Sequence, residues 1–581
     1  MKTSSSVPGT AALCLTAVLL ALSRAAVFHF NSKLIPVPDG LLFALAGLGG
    51  DLGPLWLCLL AAVLLRSRLC AVLGTLYLMA VTALDLFNAG AMYQARLIFS
   101  YDLFLQIRNN TAVYRLEIAV ACGLLLLLGL CNGCGLLRLA RAPRRLAVPC
   151  LCVLLLLSAA ATAGYELTRD SIFFKGYGTR EWVLRPFHTA MLDFFRDREA
   201  RLAARNASIH AQPQDGPTLA TASRLLADPG TVRRFDAIVI VALESIDLAY
   251  LHGKNPDIPA VATRNLDALA REHVLFDNFF TAAQPTSRGL HALMASRLDY
   301  EADPPAATPS IFTAFAGAGY DTWFISTISG QWGDARSDIT HRYQPAHVIF
   351  GEELSRKYGA RVLKWGLDSA LGFREAADIL AGRKAGDRSV LFISTIDTHP
   401  NYGFVPPEGD ACWRDDTVTA SPFLLSLCHI DRAVGDFIRD LRQRGLLTEK
   451  TLVVITADHS AVQGANYTRR AAYAPDRIPL LFITGDGGIL REWSTAYASQ
   501  IDLPATLLTL SGILPPATFM GQDMRRPGSR AISVHDGVLE ARDAAGTERI
   551  SPRRQPAHPL SRWFSIFYPA ETSVREKSKG N

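Results

Sequence analysis

The chain has 581 residues, room for more than one domain. Its 49% hydrophobic content and positive mean hydropathy do not fit an enzyme that is soluble throughout. A net charge of +6 is small for this length, and no basic stripe is interleaved with aromatics, so the sequence offers no case for a nucleic-acid partner.

The apolar residues concentrate before residue 165. A bilayer core needs roughly 20 apolar residues per helix, and five stretches qualify: 10–29, 41–65, 69–90, 116–137 and 146–165. Together they predict a five-helix transmembrane domain over residues 1–165. Asp51 interrupts the second stretch within a Gly-rich break, either as an intramembrane functional acid or as a residue at a wet interface. Lys2, Arg66, Arg68, Arg138, Arg141, Arg144 and Arg145 fall on one side if all five segments cross. Positive charge marks the cytoplasmic side, so everything after residue 165 is expected on the opposite face. Ser23-Arg24-Ala25 only loosely resembles a signal-cleavage site, and cleavage there would not change the side on which the large domain sits.

Eight of the ten cysteines lie before residue 155, in or beside apolar segments, where cysteine acts as a small hydrophobe. Cys131 and Cys134 have a CxxC-like spacing but no second ligand pair follows. Cys412 and Cys428 are the only cysteines in the remainder; an oxidising compartment favours pairing them, and spacing alone does not settle it.

Residues 166–234 read as a juxtamembrane linker. Residues 180–205 mix Trp182, Phe187, Phe194 and Phe195 with many charges, as in an amphipathic helix on a membrane surface or one packed on the next domain. The polar stretch 206–216 follows. From residue 235 to 530 short β-branched runs alternate with helical patterns. Strands are predicted at Ala237–Leu243, Asp321–Ser326, Ser389–Ser394, Leu452–Thr456 and Leu480–Thr484, and helices at Arg264–Arg271, Leu290–Ser296, Pro309–Ala318 and Ser426–Arg444. Such alternation implies an α/β domain with a mainly parallel sheet covered by helices. Residues 531–581, basic and Pro-rich with aromatics at Trp563, Phe564, Phe567 and Tyr568, read as a tail.

In a parallel sheet the chemistry sits past the carboxyl ends of strands. The first strand ends in Glu244-Ser245, a middle one in Asp397-Thr398-His399, and a late one in Asp458-His459. Carboxylates placed there are costly unless paired, and two acids with an imidazole suit Zn²⁺ or Mn²⁺, with Mg²⁺ as an alternative. An Asp-His dipeptide alone is usually structural; three strand ends together are not easily dismissed. Thr286 and Ser287 stand at a helix start, where a hydroxyl is either an N-cap or, beside a metal, a nucleophile. His291, His341 and His429 are further candidates without assigned roles, His291 being placed for core packing.

The sequence resembles the alkaline phosphatase–sulfatase superfamily, and within it the lipoteichoic acid synthase and phosphoglycerol transferase group. Residues 262–270 leading to Phe276-Asp277-Asn278-Phe279-Phe280 carry the likeness, with Ala457-Asp458-His459 and residues 500–508. The resemblance implies one divalent metal held by Glu244, Thr286, Asp458 and His459, with Thr286 as nucleophile and His399 at the substrate phosphate or leaving group. Sulfatases place a formylglycine precursor, cysteine or serine, at the position Thr286 occupies; threonine cannot be so converted, which disfavours sulfate ester hydrolysis. Phosphoethanolamine transferases share the threonine, but their soluble domains commonly carry several disulfides, and here Cys412 and Cys428 allow that domain at most one. Trp332 is similar in placement to a tryptophan of the glycerophosphate pocket. The arginine expected two residues later is Asp334, and Arg336 is the substitute considered.

These implications describe a multi-pass protein of the cytoplasmic (inner) membrane with a periplasmic or extracellular catalytic domain. Outside the membrane no ATP is available, so an activated group must already be in place. Phosphatidylglycerol as phospholipid donor and a glycan or polymer as acceptor meet that need. The alternatives are phosphoethanolamine transfer to lipid A or a glycan, a phosphodiesterase with water as acceptor, and a non-enzymatic metal- or glycan-binding membrane scaffold.

Overall fold

The structure, a computed structural model, describes residues 52–95, 143–168 and 232–567, with breaks chiefly at 299–306, 361–365, 462–475 and 488–493, together with scattered positions between 16 and 141. The chain divides into two compact units, residues 1–200 and 201–581.

In the first unit, helices run over Arg68–Ala95 and Arg144–Thr168, where two of the five spans were predicted. Pro149 lies inside the second, beyond its first turn, where it leaves the Arg145 carbonyl without its helical donor. Leu55, Leu59, Leu78, Val81 and Leu136 pack together. Among the described residues, no helix is long and apolar enough to cross a membrane. The first and fourth predicted spans fall largely outside the described residues, as do Asp51, residues 180–205 and the 206–216 linker.

The second unit is built on seven strands: β1 (Ala237–Leu243), β2 (Val274–Leu275), β4 (Asp321–Ser326), β5 (His347–Ile349), β6 (Ser389–Ser394), β7 (Thr451–Ala457) and β8 (Leu480–Thr484). Their order is β2-β8-β7-β1-β6-β4-β5. The β7-β1-β6-β4-β5 run is parallel, and β8 and β2 add antiparallel at one edge. β1, β6 and β7 are buried at every position, as expected of unbroken apolar runs covered on both faces. All five predicted strands are present. β2 and β5, two and three residues long, are too short for a pattern to announce them.

Helices Arg264–Glu272, Thr286–Ala295, Ile311–Gly317, Ser369–Ala381 and Pro422–Gln443 cover the sheet. Ser421 caps the longest of them by accepting from Leu424 N–H, and Pro422 sits at its first position. Its Phe437 stacks on Phe373 of the Ser369–Ala381 helix with ring centroids 5.1 Å apart. Cys412 and Cys428 are joined in a disulfide that ties the loop after β6 to this long helix.

A pair of two-residue strands, β3 (Phe279–Phe280) and β9 (Ala498–Ser499), runs parallel beside the main sheet. Residues 531–550, expected as part of a tail, instead form an antiparallel sheet of β10 (Ala531–His535), β11 (Val538–Asp543) and β12 (Gly546–Ile550). A helix follows at Pro559–Phe567. Ile532, Leu539, Ala541 and Phe564 share a small core with Ala282, Ala292 and Ile501, and Val534 N–H donates to Ala282 O at 2.7 Å. The segment leading to Thr286 is thus held on one side by this C-terminal sheet and helix. The aromatic island is part of that core through Phe564 and Trp563.

Candidate active site

Register places the chemistry. Leu243 of β1 pairs with Ala457 of β7, and Asp458 N–H donates to Leu243 O at 2.9 Å. Glu244 and Asp458 are therefore each one residue past matched strand ends, so the two carboxylates arrive side by side. On the other flank Ala242 pairs with Ser394 of β6, and Thr395 Oγ1 accepts from Glu244 N–H at 3.0 Å. The Thr398 hydroxyl donates to the Glu244 carbonyl.

Glu244, Asp458 and His459 are 2%, 1% and 1% exposed, which removes water as a partner for their charges. One ligand atom from each lies within 4.8 Å of the others. Asp458 Oδ1 accepts from Ser245 N–H and from its neighbour His459 N–H, both at 2.8 Å. Its Oδ2 is buried and makes no hydrogen bond among the described residues. His459 Nδ1 is 2.6 Å from Ser460 O, a contact that needs the proton on Nδ1. The lone pair of Nε2 then faces Asp458 Oδ2 at 3.5 Å and Glu244 Oε1 at 3.8 Å. This is the arrangement a ligating imidazole requires, its far nitrogen fixed by a carbonyl.

The electrostatics agree. Burial, followed by the nearby Glu244 charge, pushes Asp458 up to about 7. Burial alone would lower His459, but Asp458 and Glu244 outweigh it and raise the ring above its ordinary value. The three groups together lack positive charge. An orphaned buried carboxylate oxygen, a second acid and an imidazole with an aimed lone pair fit a divalent cation.

Thr286 is the first residue of its helix, with Pro285 at the N-cap; the Gln284–Pro285 bond is cis. Its hydroxyl does not cap the helix. Oγ1 lies 3.2 Å from His459 Nε2 and 3.4 Å from Glu244 Oε2. The positive end of the helix points at the same place. Glycine makes this approach possible: a Cβ at Gly289 would stand 1.8 Å from the Asp458 carbonyl oxygen. Gln500, fully buried, donates to Ala457 O at 3.0 Å and Asp458 O at 2.6 Å and accepts from Ala282 N–H at 2.9 Å, which fixes the Asp458 turn against the segment leading to Thr286. Gln284 donates to Ser460 Oγ at 2.6 Å in support.

Of the sequence candidates, Glu244, Thr286, Asp458 and His459 converge. His399 sits on the turn after β6, its N–H donating to Ile396 O at 3.0 Å. Trp332 lies half-buried beyond β4, its N–H donating to Ser329 O. Arg336 is engaged within the fold: its guanidinium is 2.6 Å from Glu353 and 3.7 Å from Glu352 and lies over the Phe350 ring. Asp334 falls outside the described residues. His291 is a core residue bonded to the Tyr343 hydroxyl at 2.9 Å, and His341 is exposed with Nδ1 near Ser337 O. His429 meets Asp368 and Asp397. Sequence reading did not single out Ser245, Gly289 or Gln500 for a role. Gln500 opens the 500–508 run that carried the resemblance, and that was its only signal.

Residues 236–513 match the model of the sulfatase family. An ulvan-active sulfatase from Formosa agariphila is 23% identical over 312 residues, which cover 46% of this chain and 60% of that protein's length. Among solved structures, an alkaline phosphatase superfamily protein from Vibrio parahaemolyticus has 18% identity and a TM-score of 0.46, covering 66% of this chain and 95% of its own. The lipoteichoic acid synthase LtaP from Listeria monocytogenes has 14% identity and a TM-score of 0.45, covering 62% and 97%. The lipooligosaccharide phosphoethanolamine transferase EptA from Neisseria meningitidis has 15% and 0.47, covering 81% and 95%. From Asp236 to Ile513, somewhat less than half of its length, the chain is similar to the sulfatase family.

Proposed function

We propose that this protein is a membrane-anchored, metal-dependent phosphotransferase that moves a phosphoglycerol group from phosphatidylglycerol, through a covalent threonine intermediate, to an extracytoplasmic glycan or polymer. The observation that carries the reading is the Thr286 hydroxyl, turned away from capping its helix and set 3.2 Å from His459 Nε2 and 3.4 Å from Glu244. Glu244, Thr286, Asp458 and His459 would hold one divalent cation, whose charge favours the alkoxide form of the hydroxyl and offsets charge on the phosphoryl oxygens. Mn²⁺ or Zn²⁺ suits this donor set, with Mg²⁺ as the harder alternative.

Thr286 Oγ1 attacks phosphorus: the Oγ1–P bond forms, the bond from phosphorus to the diacylglycerol oxygen breaks, and that oxygen takes a proton. An acceptor hydroxyl then loses its proton, bonds to phosphorus and displaces Thr286. His399, on the loop braced to Glu244 through Thr398, is the residue we assign to give and take these protons. Trp332 and Arg336 are the headgroup candidates. Arg336 would reach a substrate only by exchanging its contacts with Glu352 and Glu353. Threonine at position 286 favours phosphoryl transfer over sulfate hydrolysis, because its branched Cβ cannot become formylglycine.

The anchored reading is supported by the five apolar stretches and by leucines that stand exposed on the first unit's helices, among them Leu69, Leu76, Leu156 and Leu157. The test is intact-protein mass spectrometry of the full chain incubated with phosphatidylglycerol vesicles or phosphatidylethanolamine vesicles. A phosphoglycerol adduct that is absent in Thr286→Ala is expected. An adduct only from phosphatidylethanolamine overturns the headgroup, and an adduct that persists in Thr286→Ala overturns the nucleophile.

A further inference from the structure

Outside the Thr286 site the same edge of the sheet carries a second set of metal-type donors. Asp397 leaves the end of β6, Asp368 precedes the Ser369–Ala381 helix, and His429 projects from the Pro422–Gln443 helix. His429 Nε2 lies 3.0 Å from Asp368 Oδ1 and 3.5 Å from Asp397 Oδ1. Ligands about 2 Å from a tetrahedral Zn²⁺ stand about 3.3 Å apart, so the two distances bracket the spacing such an ion imposes. Asp397 is only 1% exposed, and its carboxylate faces the ring. Its Oδ1 accepts from Ser369 N–H at 3.2 Å, while Oδ2 makes no hydrogen bond among the described residues. A buried carboxylate oxygen without a partner is costly and asks for one.

A purely structural account exists. Asp368 caps its helix by accepting from Ala370 N–H at 2.9 Å, and an imidazolium on His429 would pair with it. That account gives Asp368 a purpose and leaves Asp397 Oδ2 with nothing to bind. The third grouping of metal-type side chains, Asp410 with Cys412 and Cys428, is not comparable, because both sulfurs are spent in the disulfide.

We infer that Asp368, Asp397 and His429 form a second divalent-cation site, of the Zn²⁺ type, separate from Glu244, Asp458 and His459. Its consequence is mechanical. Thr398, next to Asp397, donates to the Glu244 carbonyl, and His399 follows. A cation joining the β6 exit to two helices would fix the loop that carries both residues, much as the disulfide beside His429 fixes the far end of that loop.

The experiment counts Zn²⁺ bound per chain on the purified full-length protein, dialysed against Zn²⁺ alone and read by elemental mass spectrometry. Two equivalents are expected for the wild type. Asp397→Asn and, as a second variant against misfolding of the first, His429→Gln should each retain one. Asp458→Asn should also retain one, and Asp397→Asn combined with Asp458→Asn none. One equivalent in the wild type that survives both Asp397→Asn and His429→Gln overturns the second site and leaves the Thr286 site standing. One equivalent that survives Asp458→Asn and vanishes with Asp397→Asn does the reverse.

Discussion

Gly289→Ala tests whether the position of Thr286 depends on how closely its helix can approach the Asp458 turn. Two effects of opposite sign meet there. Alanine is the better helix former by about 0.5–1 kcal/mol, so on propensity alone the variant should gain stability. Against this, the new Cβ would stand 1.8 Å from the Asp458 carbonyl oxygen and 2.8 Å from its carbon. Both are backbone atoms, held by Gln500 and by the pairing of β7, and neither can rotate away. The helix must therefore retreat by more than an ångström. Overpacking of this kind costs about 1–3 kcal/mol, so the net effect is destabilisation of roughly 1–2 kcal/mol after the propensity gain.

Retreat also draws Thr286 away from Glu244 and His459, and a misplacement of about 1 Å can cost on the order of 100-fold in turnover. Gly317 is the control: it ends the Ile311–Gly317 helix, and a Cβ there meets nothing within 4 Å, so Gly317→Ala should leave stability within ~0.5 kcal/mol. Denaturant unfolding followed by circular dichroism gives the stability, and calorimetric Zn²⁺ titration gives the integrity of the site. If Gly289→Ala unfolds at the same or a higher denaturant concentration than the wild type and binds Zn²⁺ as tightly, the close approach does not govern the site.

Gln500→Leu removes two donors and an acceptor from a fully buried position and strands the Ala457 and Asp458 carbonyls and the Ala282 N–H; unfolding free energy should fall by about 2–5 kcal/mol in the same denaturant assay. Metal affinity should rise with pH through about 7. Asp458 is raised to about 7 in the metal-free protein and must lose its proton to ligate, so Zn²⁺ titrations at pH 6 and pH 8 should differ, with the tighter binding at pH 8. For the metal-free protein the sign is opposite: the stability contributed by a protonated Asp458 is complete below the ordinary carboxylate range and is lost as pH rises to about 7. Reduction of Cys412–Cys428, which closes a separation of 16 residues, should destabilise the domain by roughly 3 kcal/mol, measured as the shift in denaturant midpoint with and without thiol reductant.

The strands that carry the site were legible because a buried parallel strand is written as an unbroken β-branched run. Ala237–Leu243 is found at the predicted residues, and the late strand ends one residue beyond its predicted limit. Once those ends are known, Glu244, Asp458 and His459 follow from the rule that parallel sheets present their chemistry past the carboxyl ends. What the sequence hid was of another kind. Gly289 matters through one backbone contact across 169 positions of chain, which no local pattern encodes. Asp368, Asp397 and His429 come from three separate elements and meet only in the folded state. Residues 531–550 escaped because their strands mix arginine and glutamate with small apolar residues, and the polar ones are buried as pairs such as Arg542 with Glu540 and Asp476. Arg336, considered as a substrate contact, shows what a motif does not encode: it also pairs with Glu352 and Glu353 of its own fold.

The pairing of β1 with both β6 and β7 has a kinetic consequence. Glu244 leaves the first strand to be made, whereas Asp458 and His459 lie 214 and 215 residues further along the chain and meet it only when β7 docks against β1. No fragment ending before residue 459 contains the site, and contacts of such sequence separation form slowly. A cation bound there engages only after the sheet has closed. It should therefore slow unfolding while leaving the folding rate almost unchanged, acting as a latch on a finished structure and not as a nucleus for making one.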